Sequence, residues 1–346
     1  MKYQDVEFLE TVRDFLTVYL PKQRRFSQNT VRSYRMALNL FFDYLREQQN
    51  ISLHDLSFQL LNKDNVSGFV RWLQEKRNCS DTTCNQRLMA IRSFARYSAL
   101  SDPANIYVQA DIGKVPVKKC ESKVVEFFSD AALKALLEQP DRSTRTGARN
   151  SCFMILMYDT AARCQEMLDL RLKDLMLDGN SPFVYLTGKG SKTRTVPLMK
   201  KTVSHLLIYL DHFHPDRNKN DYLFYTVIHG THCQMSPDTV AAFLKKYAAS
   251  ARKVCDDIPP SVHPHQFRHT RAIAWYRNGV PLILVSELLG HADVNTSQVY
   301  AYADTEMKRA AISKALGTDA DAEKNENDNT RWKGDDELLK KLFGLM

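Results

Sequence analysis

Apolar residues recur at helical spacing over about the first 110 positions, in Phe8 to Tyr19, Val31 to Leu45, Val66 to Leu73 and Cys84 to Tyr97. Ser27 stands before Asn29-Thr30-Val31 and Ser80-Asp81 before the run to Leu100, and a serine hydroxyl at such a position accepts an otherwise unpaired amide of the first turn. The pattern predicts a bundle of four or five helices over residues 1–112. Between Ile112 and Lys123 the stretch Gly113-Lys114-Val115-Pro116-Val117-Lys118-Lys119 is rich in lysine and short of core residues, which predicts a linker over 113–123.

Beyond it, the pattern predicts a helix from Ser129 and a more apolar one through Phe153-Met154-Ile155-Leu156-Met157-Tyr158 to Ala162. Alternating residues in Phe183 to Thr187 and Arg194 to Leu198 flank Gly188-Lys189-Gly190-Ser191-Lys192, the signature of a β-hairpin. From Lys200 onward the pattern is again mostly helical. The expected fold is therefore mainly α with a small β-sheet, in two domains, 1–112 and 124–317. The tail over 318–346 is acidic and polar, and it ends in a short amphipathic helix from Asp336 to Gly344.

A chain of 346 residues can bury a core in each of two domains, and 44% hydrophobic with 25% charged residues is the composition of a folded protein. No apolar window reaches the length of a bilayer span, and Met1 to Glu10 lacks the pattern of a secretory signal; a cytoplasmic location without membrane contact is expected. Seven cysteines, at 79, 84, 120, 152, 164, 233 and 255, include no CxxC pair and read as reduced thiols. The net charge is +8. The tail from Thr318 holds eight acids against five bases, or −3, so residues 1–317 carry +11, which favours a polyanionic partner.

Residues 263–300 concentrate the chemistry. Pro264 fits the first turn of a helix running to Asn278 with Gly279 as its stop. His265 and Arg268, at i and i+3, share a face of that helix, with His269 near it. A guanidinium, an imidazole and the free amides of a helix start suit a phosphate. Leu282 to Leu289 reads as the next helix, closed by Gly290, with His291 presented directly after it. Asn295 or Thr296 can cap a further short helix with Tyr300 in its first turns, where the helix dipole modestly favours phenolate. Tyr302 is the rival nucleophile, about 200° round the axis from Tyr300. Upstream, Arg163 and Glu166 are i and i+3. The carboxylate either orients a group of the site or forms a surface ion pair worth under ~1 kcal/mol. Lys189, between two glycines that allow close approach to DNA, is a natural proton donor to a leaving oxygen, and Lys192 can do the same.

These motifs together resemble the tyrosine recombinases, the phage integrase and Xer-like site-specific recombinases. The resemblance rests on Thr-Ala-Ala-Arg163-x-x-Glu166-x-Leu, Gly-Lys189-Gly-x-Lys-x-Arg-x-Val-Pro-Leu, His265-x-x-Arg268-His-Thr, Leu-Gly-His291 and Tyr300 nine residues later. In the amino-terminal part it rests on Asn29-Thr30-x-x-x-Tyr34 with Leu38, Phe41 and Tyr44-Leu45. It implies a SAM-like core-binding domain before a catalytic domain. It further implies that Arg163 and Arg268 clamp a scissile phosphate, that His265 and His291 hydrogen-bond it, with His265 a proton acceptor, that Tyr300 attacks, and that Lys189 protonates the leaving 5′ oxygen, with Glu166 in support. No metal, cofactor or ATP is expected. The implied partners are a double-stranded recombination site and three further protomers, in a tetramer on two DNA sites, with or without a partner recombinase. Arg32, Arg35, Arg87, Arg92, Lys118, Lys119, Lys192 and Arg194 are the candidate DNA contacts. Ala161 and Ala162 replace the usual Gly and a larger apolar residue, and Arg271 stands where an aromatic is common. Two rival readings are a metal-dependent nuclease, built on His263, His265 and His269 or on His229, His232 and Cys233, and a DNA-binding accessory protein that does not cleave. Zinc would need a fourth ligand and would leave Tyr300 unexplained.

Overall fold

The computed structural model describes residues 3–120, 125–291 and 293–303, and among these the side chains of 7–120, 125–188, 190–291, 293 and 296–300. The expected tail over 318–346, with its amphipathic helix, lies outside the described residues. The chain divides into two compact units, Met1–Lys123 and Val124–Met346.

In the first unit α1 (Tyr3–Asp14) runs on as a π-helix over Phe15–Gln23. Ser27 Oγ then accepts the Thr30 amide at 3.3 Å to start α2 (Gln28–Gln49). After α3 (Lys63–Glu75), Ser80 Oγ does the same for Thr83 at 3.3 Å at the head of α4 (Asp81–Ser101). Val31, Leu38, Phe41 and Leu45 lie along one face of α2 and are buried with Phe69 and Leu73 of α3 and Leu88, Ile91 and Phe94 of α4. Each such side chain contributes about 1.5–3 kcal/mol by leaving water. The Phe41 and Phe69 rings meet edge to face at 5.4 Å, which the ring quadrupoles favour.

A fifth helix, α5 (Ile106–Gly113), ends where the linker was expected. The start of that segment is docked rather than open. Val115 is buried, Arg92 donates to the Gly113 and Val115 carbonyls, and the Asn85 amide exchanges two hydrogen bonds with the Lys118 backbone, at 2.9 and 3.0 Å. One valine among lysines carries no periodic signal, so these tertiary contacts were not legible in the sequence.

The second unit opens with α6 (Asp130–Leu137), capped by Ser129, and α7 (Arg145–Thr160), which buries Phe153, Met154, Leu156 and Met157 in the main core. α7 stops at Ala161, whose φ of 50° is left-handed, and α8 (Cys164–Asp169) follows. β1 (Leu175–Met176), β2 (Phe183–Thr187) and β3 (Thr193–Pro197) form an antiparallel sheet in that order. Val184 pairs with Val196 and Leu186 with Arg194. This is the expected hairpin with one further strand.

After α9 (Lys200–Phe213) comes a second hairpin that the sequence reading missed, β4 (Tyr225–Ile228) with β5 (Thr231–Gln234). Its two-residue turn has φ of 48° at His229 and 78° at Gly230, a turn usually signalled by Asn-Gly or Asp-Gly. Then follow α10 (Pro237–Ala251), α11 (Pro264–Arg277), α12 (Leu282–Leu289), a 3-10 turn over Val294–Ser297 and α13 (Gln298–Ala303). A smaller apolar cluster of Ala161, Ala272, Ile273, Val285, Leu289 and Tyr300 ties the α7 terminus to α11, α12 and α13. Among the described residues no helix is long and apolar enough to cross a membrane.

Candidate active site

The site gathers where α7, α11 and α12 end or begin. Arg163 sits at the N-cap of α8, after the left-handed turn at Ala161. Its backbone amide donates to Glu166 Oε2 at 2.8 Å, and its guanidinium donates to Glu166 Oε1 at 2.8 Å and to the Gly290 carbonyl at 3.4 Å.

Glu166 is buried, which decides between the two readings left open by the sequence. Arg194, from β3, donates to both of its oxygens, at 3.0 and 2.7 Å, and to the Leu288 carbonyl at 2.8 Å. Burial alone would raise the Glu166 pKa. The hydrogen bonds and charge of Arg194, with those of Arg163, overcome burial and hold it at about 2. The carboxylate is thus ionised and orients two arginines.

Gly188 has its reason here. A Cβ on it would stand 2.9 Å from Glu166 Oε1, so its missing side chain makes room for the carboxylate. Gly190 is needed for its φ of 76°, and nothing lies within 4 Å of where its Cβ would be. Lys189 lies between them in the short 3-10 turn Lys189–Ser191; its side chain lies outside the described residues. Lys192 is exposed at the end of that turn.

On α11 the helix start is built from side chains. Gln266 accepts the His263 amide at 2.9 Å and donates to Glu126 Oε2 at 2.9 Å and the Ser261 carbonyl at 3.0 Å. Arg268 is buried, donating to the carbonyls of Ala161 at 2.8 Å and Leu289 at 2.5 Å. Burial, then the charge of Arg163, lowers its pKa to about 10, so it stays a cation at neutral pH. His265 presents an open face to solvent. Partial desolvation of its ring, then Arg268, His263 and Arg163, lowers its pKa.

His291 follows Gly290, whose φ of 63° ends α12. Its Nδ1 shares a hydrogen bond with Ser297 Oγ at 2.7 Å, which leaves Nε2 for a ligand. Tyr300 is 1% exposed. Its ring lies nearly parallel to His291 at 6.4 Å, and its hydroxyl is 3.1 Å from His269 Nδ1. Burial raises its pKa against the opposing pull of Arg268 and Arg163. The expected bias toward phenolate from the helix dipole is therefore outweighed, since desolvation is the larger effect.

The fold therefore brings Arg163, Glu166, Arg194, His265, Arg268, His291 and Tyr300 together. Two guanidiniums bond one carboxylate and a third, that of Arg268, stands near them, an excess of positive charge that suits a phosphodiester. Arg194, read from the sequence as a DNA contact, has its guanidinium committed to Glu166 and Leu288. His269 and Ser297 were missed as site residues. His269, one residue beyond Arg268, carried a weak signal and Ser297 carried none.

In the first unit Arg32 and Arg35 are exposed on α2, and Lys119 is also exposed. Arg87 and Arg92 are half-buried on α4, and Lys118 is half-buried with its ammonium held by Gln74 and, at 3.6 Å, by Asp81. Arg271, in the place of an aromatic, pairs with Asp159 at 2.9 Å and lies 5.2 Å from the ring centres of Tyr158 and Trp275. Among the described residues no three His, Cys, Asp or Glu side chains are grouped as a metal ion would require.

The model of the phage integrase family matches residues 126–307, and that of the phage integrase N-terminal SAM-like domain matches residues 13–100. The integrase/recombinase y4rC of Sinorhizobium fredii is 29% identical over 339 residues, covering 96% of this chain and 97% of that one. A tyrosine recombinase of Pseudothermotoga lettingae is 28% identical over 310 residues, covering 89% and 99%. In fold, the chain is similar to the XerH site-specific recombinase solved with its difH substrate before cleavage, with a TM-score of 0.62 at 22% identity over 90% of each chain. With matches in both of its units and the arginine, histidine and tyrosine side chains gathered in one place, this chain belongs to the phage integrase family, the tyrosine recombinases.

Proposed function

We propose that the chain cuts and rejoins double-stranded DNA at a specific site through a 3′-phosphotyrosyl intermediate on Tyr300. The observation that carries this reading is the enclosure of the Tyr300 phenol by His269 and His291 beside Arg268 and Arg163. Arg163 and Arg268 hold the non-bridging oxygens and stabilise the charge that builds up in the displacement. His265 and His291 hydrogen-bond the same phosphate. The Tyr300 oxygen forms a bond to phosphorus as the bond to the 5′ oxygen breaks, and Lys189 protonates that leaving oxygen. The phosphotyrosyl bond conserves the energy of the diester, so the reverse attack by another 5′ hydroxyl needs no ATP.

Glu166 with Arg194 positions Arg163. The excess positive charge of residues 1–317, with Arg32, Arg35 and Lys119 exposed, supplies phosphate contacts. Tyr300 is buried in the free chain. Four protomers on two sites complete the reaction. The biological event is the integration, excision or transposition of a mobile element, a reading favoured over dimer resolution by the full-length likeness to a relative named integrase/recombinase.

The test uses duplexes selected by the wild-type chain from a random pool. Tyr300→Phe should bind them as the wild type does and lose covalent attachment by on the order of 10⁴-fold or more. A normal adduct from that variant, or an adduct mapped to Tyr302 in the wild type, overturns the assignment. A variant that keeps its cellular role without cleavage marks the protein as a DNA-binding accessory instead.

A further inference from the structure

We infer that His269 is a catalytic residue, the base that takes the phenol proton from Tyr300 as its oxygen attacks and returns it when the tyrosine leaves. This rests on the reading of Tyr300 as the nucleophile and moves the proton acceptor from His265 to His269. His269 Nδ1 lies 3.1 Å from the Tyr300 hydroxyl, within the range a base needs. No hydrogen bond joins His265 to Tyr300 among the described residues, and the His265 ring is centred 6.3 Å from that of His269, toward solvent. His291 is a poor rival, because its Nδ1 is held by Ser297 and its ring lies parallel to the phenol at 6.4 Å. Arg268 also meets the phenol, but a guanidinium can only donate to it, whereas His269, one residue further round α11, offers a ring nitrogen that can accept its proton.

In the step proposed, the Tyr300 O–H bond breaks and the proton passes to Nδ1 as the oxygen–phosphorus bond forms. The phosphorus–5′ oxygen bond breaks, and that oxygen takes its proton from Lys189. In rejoining, a 5′ hydroxyl attacks, and His269 gives its proton back to the departing Tyr300 oxygen, so the enzyme ends as it began.

The groups that face His269 are His263, His265 and Arg268 on its own helix and its approach, Tyr300 on α13, and His291 after α12. None of these is an acid. Burial, then His265 and Arg268, pushes the His269 pKa down to about 4, so in the free chain it is a neutral imidazole and a weak base. A phosphodiester brings the missing negative charge and raises its basicity, so the base becomes effective when DNA is bound.

The experiment is single-turnover cleavage of a selected duplex nicked on the 3′ side of the cleavage position, followed between about pH 6 and 9 by adduct formation. His269→Ala and His269→Asn are compared with wild type, and Asn keeps a hydrogen-bond acceptor near the place of Nδ1 without being a base. Both variants should bind the duplex normally and cleave ~10²–10⁴-fold more slowly. Their residual rates should climb about tenfold per pH unit, as expected when the phenol ionises unassisted, against a nearly flat wild-type profile, and added imidazole should restore part of the rate to His269→Ala. Near wild-type cleavage by His269→Asn reduces His269 to a positioning residue and overturns the proposal, as does a flat profile in the variants. An adduct at Tyr300 with unchanged variant rates overturns this inference alone, whereas a wild-type adduct on another residue overturns the nucleophile and the base together. Should His269→Ala fail to bind, the rate and pH profile of His269→Asn decide the outcome.

Discussion

Glu166 concentrates the electrostatics of the site in one side chain. It is buried, ionised and bonded to two arginines that come from different elements. Replacing it by glutamine leaves Arg194, itself only 10% exposed at its side chain, without its counter-charge, and breaking a buried pair in this way costs about 3–5 kcal/mol. Glu166→Gln should therefore lower the melting temperature by several degrees and slow cleavage more than it weakens DNA binding, since Arg163 loses its anchor. A loss of stability under ~1 kcal/mol would return the pair to the surface-bridge class. The sequence placed Glu166 beside Arg163, three residues apart, but not beside Arg194, 28 residues on, and the second arginine makes the difference between the two readings.

At the scale of elements, the site depends on how helices stop. α7 ends in a left-handed residue at Ala161 and α12 in one at Gly290, and the carbonyls of these ends, at Ala161, Leu289 and Gly290, receive Arg268 and Arg163. A left-handed conformation costs a residue with a Cβ about 1–2 kcal/mol, which Ala161 bears and Gly290 avoids. At Gly290 a Cβ would also stand 3.0 Å from Arg194 Nη1 and 3.1 Å from its Cδ. Gly290→Ala should thus destabilise the chain by about 1–2 kcal/mol and displace Arg194, with a fall in both melting temperature and cleavage rate. Unchanged values of both would show that the turn tolerates a side chain. Helix starts at Ser27, Ser80, Ser129 and Pro264 and the stops at Gly279 and Gly290 were legible because a cap acts within a few residues. The β4–β5 hairpin was not, because a His-Gly turn lacks the usual residue at its first left-handed position.

For the whole molecule, the cationic site has a consequence for stability against pH. His269 and His291 have pKa values pushed to about 4 in the folded chain, by burial first and then by neighbouring histidine and arginine charges, against about 6.5 for a free histidine. Between those values the unfolded chain binds more protons than the folded one, so stability rises with pH across the window and is lost on acidification from about pH 6.5 to 4. Glu166, held at about 2, has the depressed pKa of a paired acid; its contribution is intact above about pH 4.5 and is lost progressively as pH falls from there through 2. Denaturant midpoints should be lower at pH 4.5 than at pH 7, and the difference should shrink in His269→Asn/His291→Asn; a profile flat from pH 7 to 4.5 would contradict the burial of these rings.

The sequence by itself determined the helical periods, their caps, the first hairpin and the order of the arginine, histidine and tyrosine motifs, because each is written within a few consecutive turns of chain. Only the tertiary structure decided that Arg194 serves Glu166, that Gly188 makes room for a carboxylate, that Val115 and Lys118 dock on α4, and that His269 hydrogen-bonds Tyr300. Those pairings join positions from 22 to 33 residues apart, and their partners are chosen by packing and by the need to neutralise or hydrogen-bond whatever is buried, which no local pattern records.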